Sequence, residues 1–397
     1  MADMGSLRED LRHWLLKNAP AGVRGPYRSE QDQCWGGKKA RSTYTDDQLR
    51  WVAVAAERGF TAPMWPREYG GGGLSKDEAR VLAEEMGKLA IRAPLVGFGL
   101  TMIGPLLLNV ASEEQKREHL PRICRGEVRW CQGYSEPGAG SDLASVQTKA
   151  LPDEDDYVLN GQKVWTSFGD KADWMFLLVR TDAAAPKHQG ISFLLMDMDS
   201  PGVVARPIRL ISGASPFCET FITDVRVPMR NVVGKVNGGW GIAKMLLQFE
   251  RNMIADVFKE REDRQRLIKM AKKYVGVDAG GRVRDPLLRD RVTQIEIDQL
   301  ALDLTLSRSR DRLKAGQPPG PETSFFKLYG TELNQRRREL MIQMMGAQGL
   351  GWEGPGYADD ELRTTREWLR SRGNTIEGGT SEVQLNIIAK NVLGLPD

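Results

Sequence analysis

Twice along this chain the spacing of apolar residues changes period, and this double switch limits the possible folds more than any other feature. Up to about residue 128 apolar positions recur with helical spacing. From there to about residue 230 they fall in short alternating or continuous runs of strand length, and from Gly239 onward helical spacing returns. Helices on either side of one block of strands, with no strand–helix alternation, argue against a doubly wound sheet and leave an α+β architecture. We place its boundaries at 1–127 for an N-terminal α-helical domain, 128–236 for a middle β domain and 237–397 for a C-terminal α-helical domain.

Local signals sharpen this outline. Thr45-Asp-Asp-Gln48 is a capping box, followed by Leu49, Val52, Ala53 and Ala56 on one helix face and by Gly59 as a stop. Ser75 to Glu78 opens a second helix, and Ser112 to Gln115 opens a third that should end near Pro121. Gly70 to Gly73 must be a loop. Tyr157 to Trp165 reads as strand, Asn160-Gly161 turn, strand. Trp174 to Val179, Ile191 to Met196 and Glu219 to Val227 read as further strands. Long helices are expected over about 240–274, 286–313 and 322–348, with two shorter ones after them. Arg336-Arg337-Arg338 reads as a solvated helix face.

Composition excludes several classes. Lys plus Arg number 56 against 53 Asp plus Glu, a net charge of +3, so bulk charge does not favour nucleic-acid binding. Four cysteines without CxxC spacing suggest neither a disulfide framework nor a zinc site. His13, His119 and His188 lie too far apart in sequence to share a helix face, so no His-rich metal site is expected. The N-terminus lacks the apolar core of a signal peptide, and no apolar run reaches spanning length. A reducing, cytoplasmic location is the expectation.

The segment richest in chemistry is Trp130-Cys-Gln-Gly-Tyr-Ser135-Glu136-Pro137-Gly138-Ala139-Gly140-Ser141-Asp142. Glycines let a ligand approach the backbone closely, and serines offer hydrogen bonds without bulk. The third glycine of a dinucleotide fingerprint is missing. Composition alone also allows a turn-rich connection with no ligand.

Ser135-Glu-Pro-Gly-Ala-Gly-Ser-Asp142 closely resembles the signature of the acyl-CoA dehydrogenase family. Further landmarks follow in that family's order: Glu114-Gln115-Lys116 with Leu120-Pro121, Asn160-Gly-Gln-Lys163-Val-Trp165-Thr166-Ser167, Arg226-Val-Pro228 with Gly238-Gly239-Trp240, Gln343-Met-Met-Gly346-Ala347, and Gly378-Gly379-Thr380-Ser381-Glu382. The resemblance spans about residues 30 to 394. It implies a helical domain, a β domain and a C-terminal four-helix bundle, with FAD as cofactor. The implied reaction is α,β-dehydrogenation of an acyl-CoA thioester. Electrons would pass to an electron-transfer flavoprotein, and the assembly would be a homotetramer or a heterotetramer. By the same resemblance Gln132, Tyr134, Ser135, Ser141, Trp165, Thr166 and Ser167 line the flavin. Gln343, Ala347, Thr380 and Glu382 hold its adenosine half, partly across subunits, and Ser141, Arg251 and Gly378 meet the substrate. Ser381 with Gln384 reads as a capping box behind two glycines.

Many family members carry the catalytic base as Glu in a Tyr-Glu-Gly-Thr turn. Aligned on Gly379-Thr380, that position here is Gly378, and Glu377 lies one residue early. A subset that includes isovaleryl- and long-chain acyl-CoA dehydrogenases places the base in a Glu-Arg pair on an internal helix, where this chain has Glu250-Arg251. Leu246, Phe249, Glu250, Met253 and Val257 recur with helical spacing, so Glu250 sits in an apolar stripe. Desolvation there would raise its pKa toward that of a useful base. Without the resemblance, a stripe-edge Glu snorkelling or paired with a basic neighbour is the favoured reading. The family's Arg-x-x-Phe-Gly motif, which contacts the FAD diphosphate, is missing between residues 260 and 320. An acyl-CoA oxidase-type flavoenzyme and a subunit of a heteromeric dehydrogenase are the alternatives.

Overall fold

The structure, a computed structural model, describes residues 4–27, 29–247, 261–315, 320 and 323–396. Two compact units separate, Met1–Ile208 with Pro216–Leu246 and Arg209–Ser215 with Leu247–Asp397.

The first unit opens with helices α1 (Met4–Asn18), α2 (Asp46–Glu57), α3 (Lys76–Lys88), α4 (Gly104–Val110) and α5 (Glu113–Cys124). Capping boxes start α2, α3 and α5 at Thr45, Ser75 and Ser112, each with both reciprocal bonds made. Gly59, at φ 74°, follows α2 where a left-handed residue is needed. The α5 helix runs past its expected end, with Pro121 inside it. Leu11, Leu15, Trp51, Ala55, Val81 and Leu82 form the helical core.

Seven strands follow: β1 (Trp130–Gly133), β2 (Lys149–Asp153), β3 (Asp156–Ser167), β4 (Trp174–Arg180), β5 (Ile191–Asp197), β6 (Val203–Ile208) and β7 (Phe217–Pro228). Their order is β1-β4-β2-β3-β7-β6, with β5 on β4. The continuous apolar run of β4 is buried at every position, as a strand covered on both faces requires. Asn160-Gly161 makes no turn here. β3 runs straight through it, and the hairpin closes at Glu154-Asp155, where Glu154 has φ 54° and Asp153 pairs with Asp156. Gly161 instead marks a register shift against β7. A Cβ there would lie 2.5 Å from the Thr148 hydroxyl, so close packing explains the glycine. The Asn160 side chain is engaged across the sheet with Asp224, at 2.9 Å.

After β7, α6 begins at residue 239 and is described to 247. In the second unit come α7 (Arg261–Tyr274), α8 (Pro286–Lys314), α9 (Thr323–Met345), α10 (Asp359–Ser371) and α11 (Ser381–Asn391). Leu267, Ile295, Leu302, Leu333, Leu340 and Met341 build their shared core. The arginine run is not a solvated face. Arg337 and Arg338 are buried, bonded to Gln299 and Glu367, and Arg336 reaches Asp298 at 2.7 Å. Because α7, α8, α10 and α11 all pack on α9, three successive positions spread over about 200° of helix cannot all meet water. The start of α11 also differs from expectation. Thr380 is its N-cap, accepting from the Val383 amide, and Ser381 is the first helical residue.

His119 on α5 lies edge-on to Trp130 and Trp174, with ring centroids 5.3 and 4.9 Å away. Burial, with a smaller contribution from Arg122, pushes its pKa down to about 4. The unfolded chain therefore takes up this proton first as pH falls below about 6.5. The stability His119 contributes as a neutral ring should be lost progressively between about pH 6.5 and 4, by up to about 1.4 kcal/mol per pH unit. Thermal midpoints across this window should fall less steeply for His119→Leu than for the unaltered chain. Parallel profiles would assign the acid sensitivity to other groups.

Candidate active site

The Ser135–Asp142 loop leaves β1 with its tip in solvent. Pro137, Gly138, Gly140, Ser141 and Asp142 are exposed, while Glu136 and Ala139 are buried and exchange backbone hydrogen bonds of 2.9 and 3.0 Å. Among the described residues, packing does not require Gly138 or Gly140: neither has a positive φ, and a Cβ on either would meet no described atom within 4 Å. Such glycines fit a cradle whose bareness serves an approaching ligand, and Ser141 offers an exposed hydroxyl beside them. Gln132 is half-buried on β1, and the buried Tyr134 ring packs edge-on against Phe176 and Phe193.

The second face of this site is the end of β3. The Val164 amide donates to the Ser135 carbonyl at 2.9 Å, which joins strand to loop. Between Lys163 and Thr166 the register slips, and Trp165 in the slip has φ 61° and is 54% exposed. A bulky residue at positive φ costs on the order of 1–3 kcal/mol and persists only where its surroundings impose it. They do so here from both sides. Thr166 is buried and accepts from the Thr220 hydroxyl at 3.2 Å, while Ser167 pairs with Phe217 of β7 and stays half-buried. Phe168, at φ 54°, donates its amide to Pro216 at 2.7 Å. The buried Arg129 guanidinium lies 4.7 Å from the Phe168 ring and 4.7 Å from Trp35. The result is a flat exposed indole next to a glycine-lined loop, a surface suited to an aromatic ring system with polar edges.

In the second unit, a cavity of about 670 Å³ is lined by Gln335, Glu339, Arg372, Thr375, Thr380 and Glu382, among others. Thr380 and Glu382 thus lie together in its wall. Gln343 is exposed and donates to the cavity residue Glu339 at 3.4 Å, and Ala347 is exposed in the turn that follows α9. Gly378 and Gly379 have φ of 64° and 93°. Buried Lys327 holds the Gly379 carbonyl at 2.5 Å, and Gln384 holds that of Gly378 at 3.2 Å. Both Glu377 oxygens are engaged: Arg370 reaches one at 2.7 Å and Asn374 the other at 2.6 Å. Glu250 and Arg251 lie outside the described residues.

The sequence reading did not single out Lys327, Arg372 or Glu339, nor give Lys163 a role. Lys163 is wholly buried and paired with Glu136 at 2.7 Å. Burial raises the pKa of Glu136, but the Lys163 charge and the surrounding hydrogen bonds outweigh that and hold the carboxyl below its usual range. A lysine at an inward position of an alternating strand was the available signal.

Comparison with known proteins gives one consistent result. Family models described as the N-terminal, middle and C-terminal domains of acyl-CoA dehydrogenase match residues 37–127, 131–225 and 237–393. The chain is 35% identical to acyl-CoA dehydrogenase IpdE1 of Mycobacterium tuberculosis, over 100% of this chain and 99% of that protein. Among solved structures, "Tcur3481-Tcur3483 steroid ACAD" is similar with a TM-score of 0.76 and 30% identity, covering 99% of this chain and 97% of that one. The ChsE4-ChsE5 complex from Mycobacterium tuberculosis has a TM-score of 0.72 and 29% identity, covering 100% and 98%.

If the bare glycines serve a ligand, a side chain there should harm binding alone. Gly140→Val should leave the thermal midpoint of the ligand-free chain within about 2 °C, as a surface change away from packing does. The same change should weaken FAD uptake in a fluorescence titration by about tenfold or more. Unchanged uptake would remove the loop from the site.

Proposed function

The chain belongs to the acyl-CoA dehydrogenase family, and from that premise we propose that it catalyses FAD-dependent α,β-dehydrogenation of an acyl-CoA thioester, with Glu250 as the base. The observation that carries this reading is the preformed surface of the first unit, where the Ser135–Asp142 loop and the Trp165 bulge are tied by the Ser135–Val164 bond. Gln132, Tyr134, Ser135, Thr166 and Ser167 would hold FAD at its ring end, with Trp165 against the ring. Gln343, Ala347, Thr380 and Glu382 would take its adenosine half. Bound there, FAD would supply the hydride acceptor for the substrate's β-hydrogen.

The chain's own chemistry is removal of the α-proton. Two features of the C-terminal turn disfavour a base there. Gly378 has no side chain, and the Glu377 carboxylate already accepts from Arg370 and Asn374. A base must be free to reach the proton it takes. Glu250 remains, in an apolar stripe whose first member, Leu246, is fully buried. Ser141, Arg251 and Gly378 would meet the thioester end and orient the acyl group. The electron acceptor in this reading is an electron-transfer flavoprotein, and the compartment is the cytoplasm.

A heteromeric assembly is a second reading with its own support. The solved relatives Tcur3481-Tcur3483 and the ChsE4-ChsE5 complex each bear the names of two proteins, and this chain lacks Arg-x-x-Phe-Gly between 260 and 320. We take a bulky, steroid-like acyl group, after the steroid ACAD among those relatives, as the substrate class to test first.

Anaerobic mixing with a panel of acyl-CoAs tests the base directly. Glu250→Gln keeps size and most hydrogen bonding, and should slow flavin bleaching by about 10²–10⁴-fold while FAD still binds. Glu377→Gln should bleach within about tenfold of the unaltered enzyme, since its carboxylate serves the turn and not the substrate. The opposite pattern would move the base to Glu377. Flavin that appears only on co-expression with a second, similar chain would select the heteromer over a homotetramer, and fast reoxidation by air would select an oxidase.

A further inference from the structure

The exposed loop of the first unit stands on a buried base that its own backbone does not provide. At its entry, the Lys163 ammonium donates to the Tyr134 carbonyl at 3.3 Å and to the Glu136 carboxylate at 2.7 Å, and its third proton goes to the Leu178 carbonyl of β4 at 2.7 Å. Three acceptors require three donors, so the group is an ammonium. At the exit, Arg180, two residues further along β4, donates to the carbonyls of Ala144 at 2.6 Å and Val146 at 3.2 Å. Its remaining nitrogen reaches the Lys187 carbonyl at 2.8 Å. Glu136 spans the gap. Its oxygens accept from the Gln147 amide at 2.6 Å, the Thr148 amide at 2.9 Å and the Thr148 hydroxyl at 2.5 Å. Lys163 is 0% exposed, Arg180 6% and Glu136 8%.

We propose that Lys163 and Arg180 are positioning residues that clamp the two feet of the Ser135–Asp142 loop, by the flanking carbonyls of Tyr134, Ala144 and Val146 and the Glu136 carboxylate, and so hold its glycine-lined rim in the form that receives FAD. The proposal rests on the flavin reading of that loop. Stability does not explain the arrangement, because a buried ion pair is about as stable as an apolar pair of the same shape. Directed geometry does. Glycines at 138 and 140 leave the rim free to take many backbone forms, and an aromatic ligand needs one of them. Backbone carbonyls are the handles that such a loop offers, and a buried cation grips a carbonyl more strongly than a neutral donor does. Lys163 also stands two residues before Trp165 on β3, so one side chain ties the loop to the strand that carries the indole. The spacing between the site's two faces is thereby set from below.

The test compares Lys163→Met with the charge-matched Glu136→Gln/Lys163→Met in the full chain. The single variant strands a buried carboxylate and should lose thermal stability. The double variant removes both charges and should recover to within about 5 °C of the unaltered chain. If the pair positions the loop, amide exchange over 134–148 in the double variant should still be about tenfold faster or more, with β4 and β5 protected as before. FAD should bind about tenfold more weakly or worse. Unaltered exchange over 134–148 with FAD affinity within about twofold would overturn the proposal. So would equal loss of protection in β4 and β5, or failure of both variants to fold, since the pair would then hold the whole sheet. An unaltered chain that binds no FAD but shows the same exchange pattern would support the clamp and overturn the flavin reading.

Discussion

Strand β3 has to satisfy two demands at once, and the site is the result of both. Tyr157, Leu159, Lys163 and Thr166 must face inward to complete the sheet core, and Trp165 must stand in solvent. Strict alternation cannot deliver this over the last residues, because a side chain changes face at every step. The register slip between Lys163 and Thr166 resolves the conflict, and Trp165 at φ 61° carries its backbone cost. The slip is held by the buried Thr166–Thr220 contact, by the buried Arg129 between two rings and by the half-buried Phe168–Pro216 bond. The exposed Trp165 face is thus specified largely by polar contacts beneath it.

The second unit reaches a similar end by related means. Its glycine turn at 378–379 is gripped through carbonyls by a buried lysine and a buried glutamine. Glu339 accepts from Gln343, Trp368 and Arg372, and so links the end of α9 to the face of α10 beside the cavity. Arg370 and Asn374 consume Glu377 in the same way. A carboxylate so engaged holds the turn, which is consistent with the proposed placing of the base elsewhere.

What the sequence disclosed follows from where each signal originates. Capping boxes at Thr45, Ser75 and Ser112 are local, since the partner is three residues away, and they mark true helix starts. The long apolar run of β4 is local in the same sense. The Asn160-Gly161 pair misled because a glycine required for an L-residue's missing space looks identical to one required for a turn. Only the Thr148 hydroxyl, brought close by the fold, distinguishes them. The arginine run misled for a related reason: the partners of Arg337 and Arg338, Gln299 on α8 and Glu367 on α10, lie 38 and 29 positions away. In the candidate site, the loop was legible in its residue types and Trp165 through the family motif, whereas Lys163 left only the local sign of a lysine at an inward strand position, and its partner Glu136, 27 positions away, is identified by the fold alone.

Glycines show how fold and function can be separated within one chain. Gly59 and Gly71 approach so closely that a Cβ on the first would lie 2.4 Å from the backbone of the second, and Gly133 would strike Met175 at 2.3 Å. These positions are fixed by packing. Gly138 and Gly140 meet no described atom where a Cβ would stand and have no positive φ, so packing among the described residues gives them no reason to be glycine. A flexible residue in an exposed loop raises the entropy lost on ordering, which is a cost the fold alone would not retain. The two positions make sense once a ligand's surface completes the packing, and the cations beneath them make sense once that ligand must find the loop already shaped. Glycine freedom above and buried charge below are then two parts of one device, the first admitting the ligand and the second removing the alternatives that freedom creates.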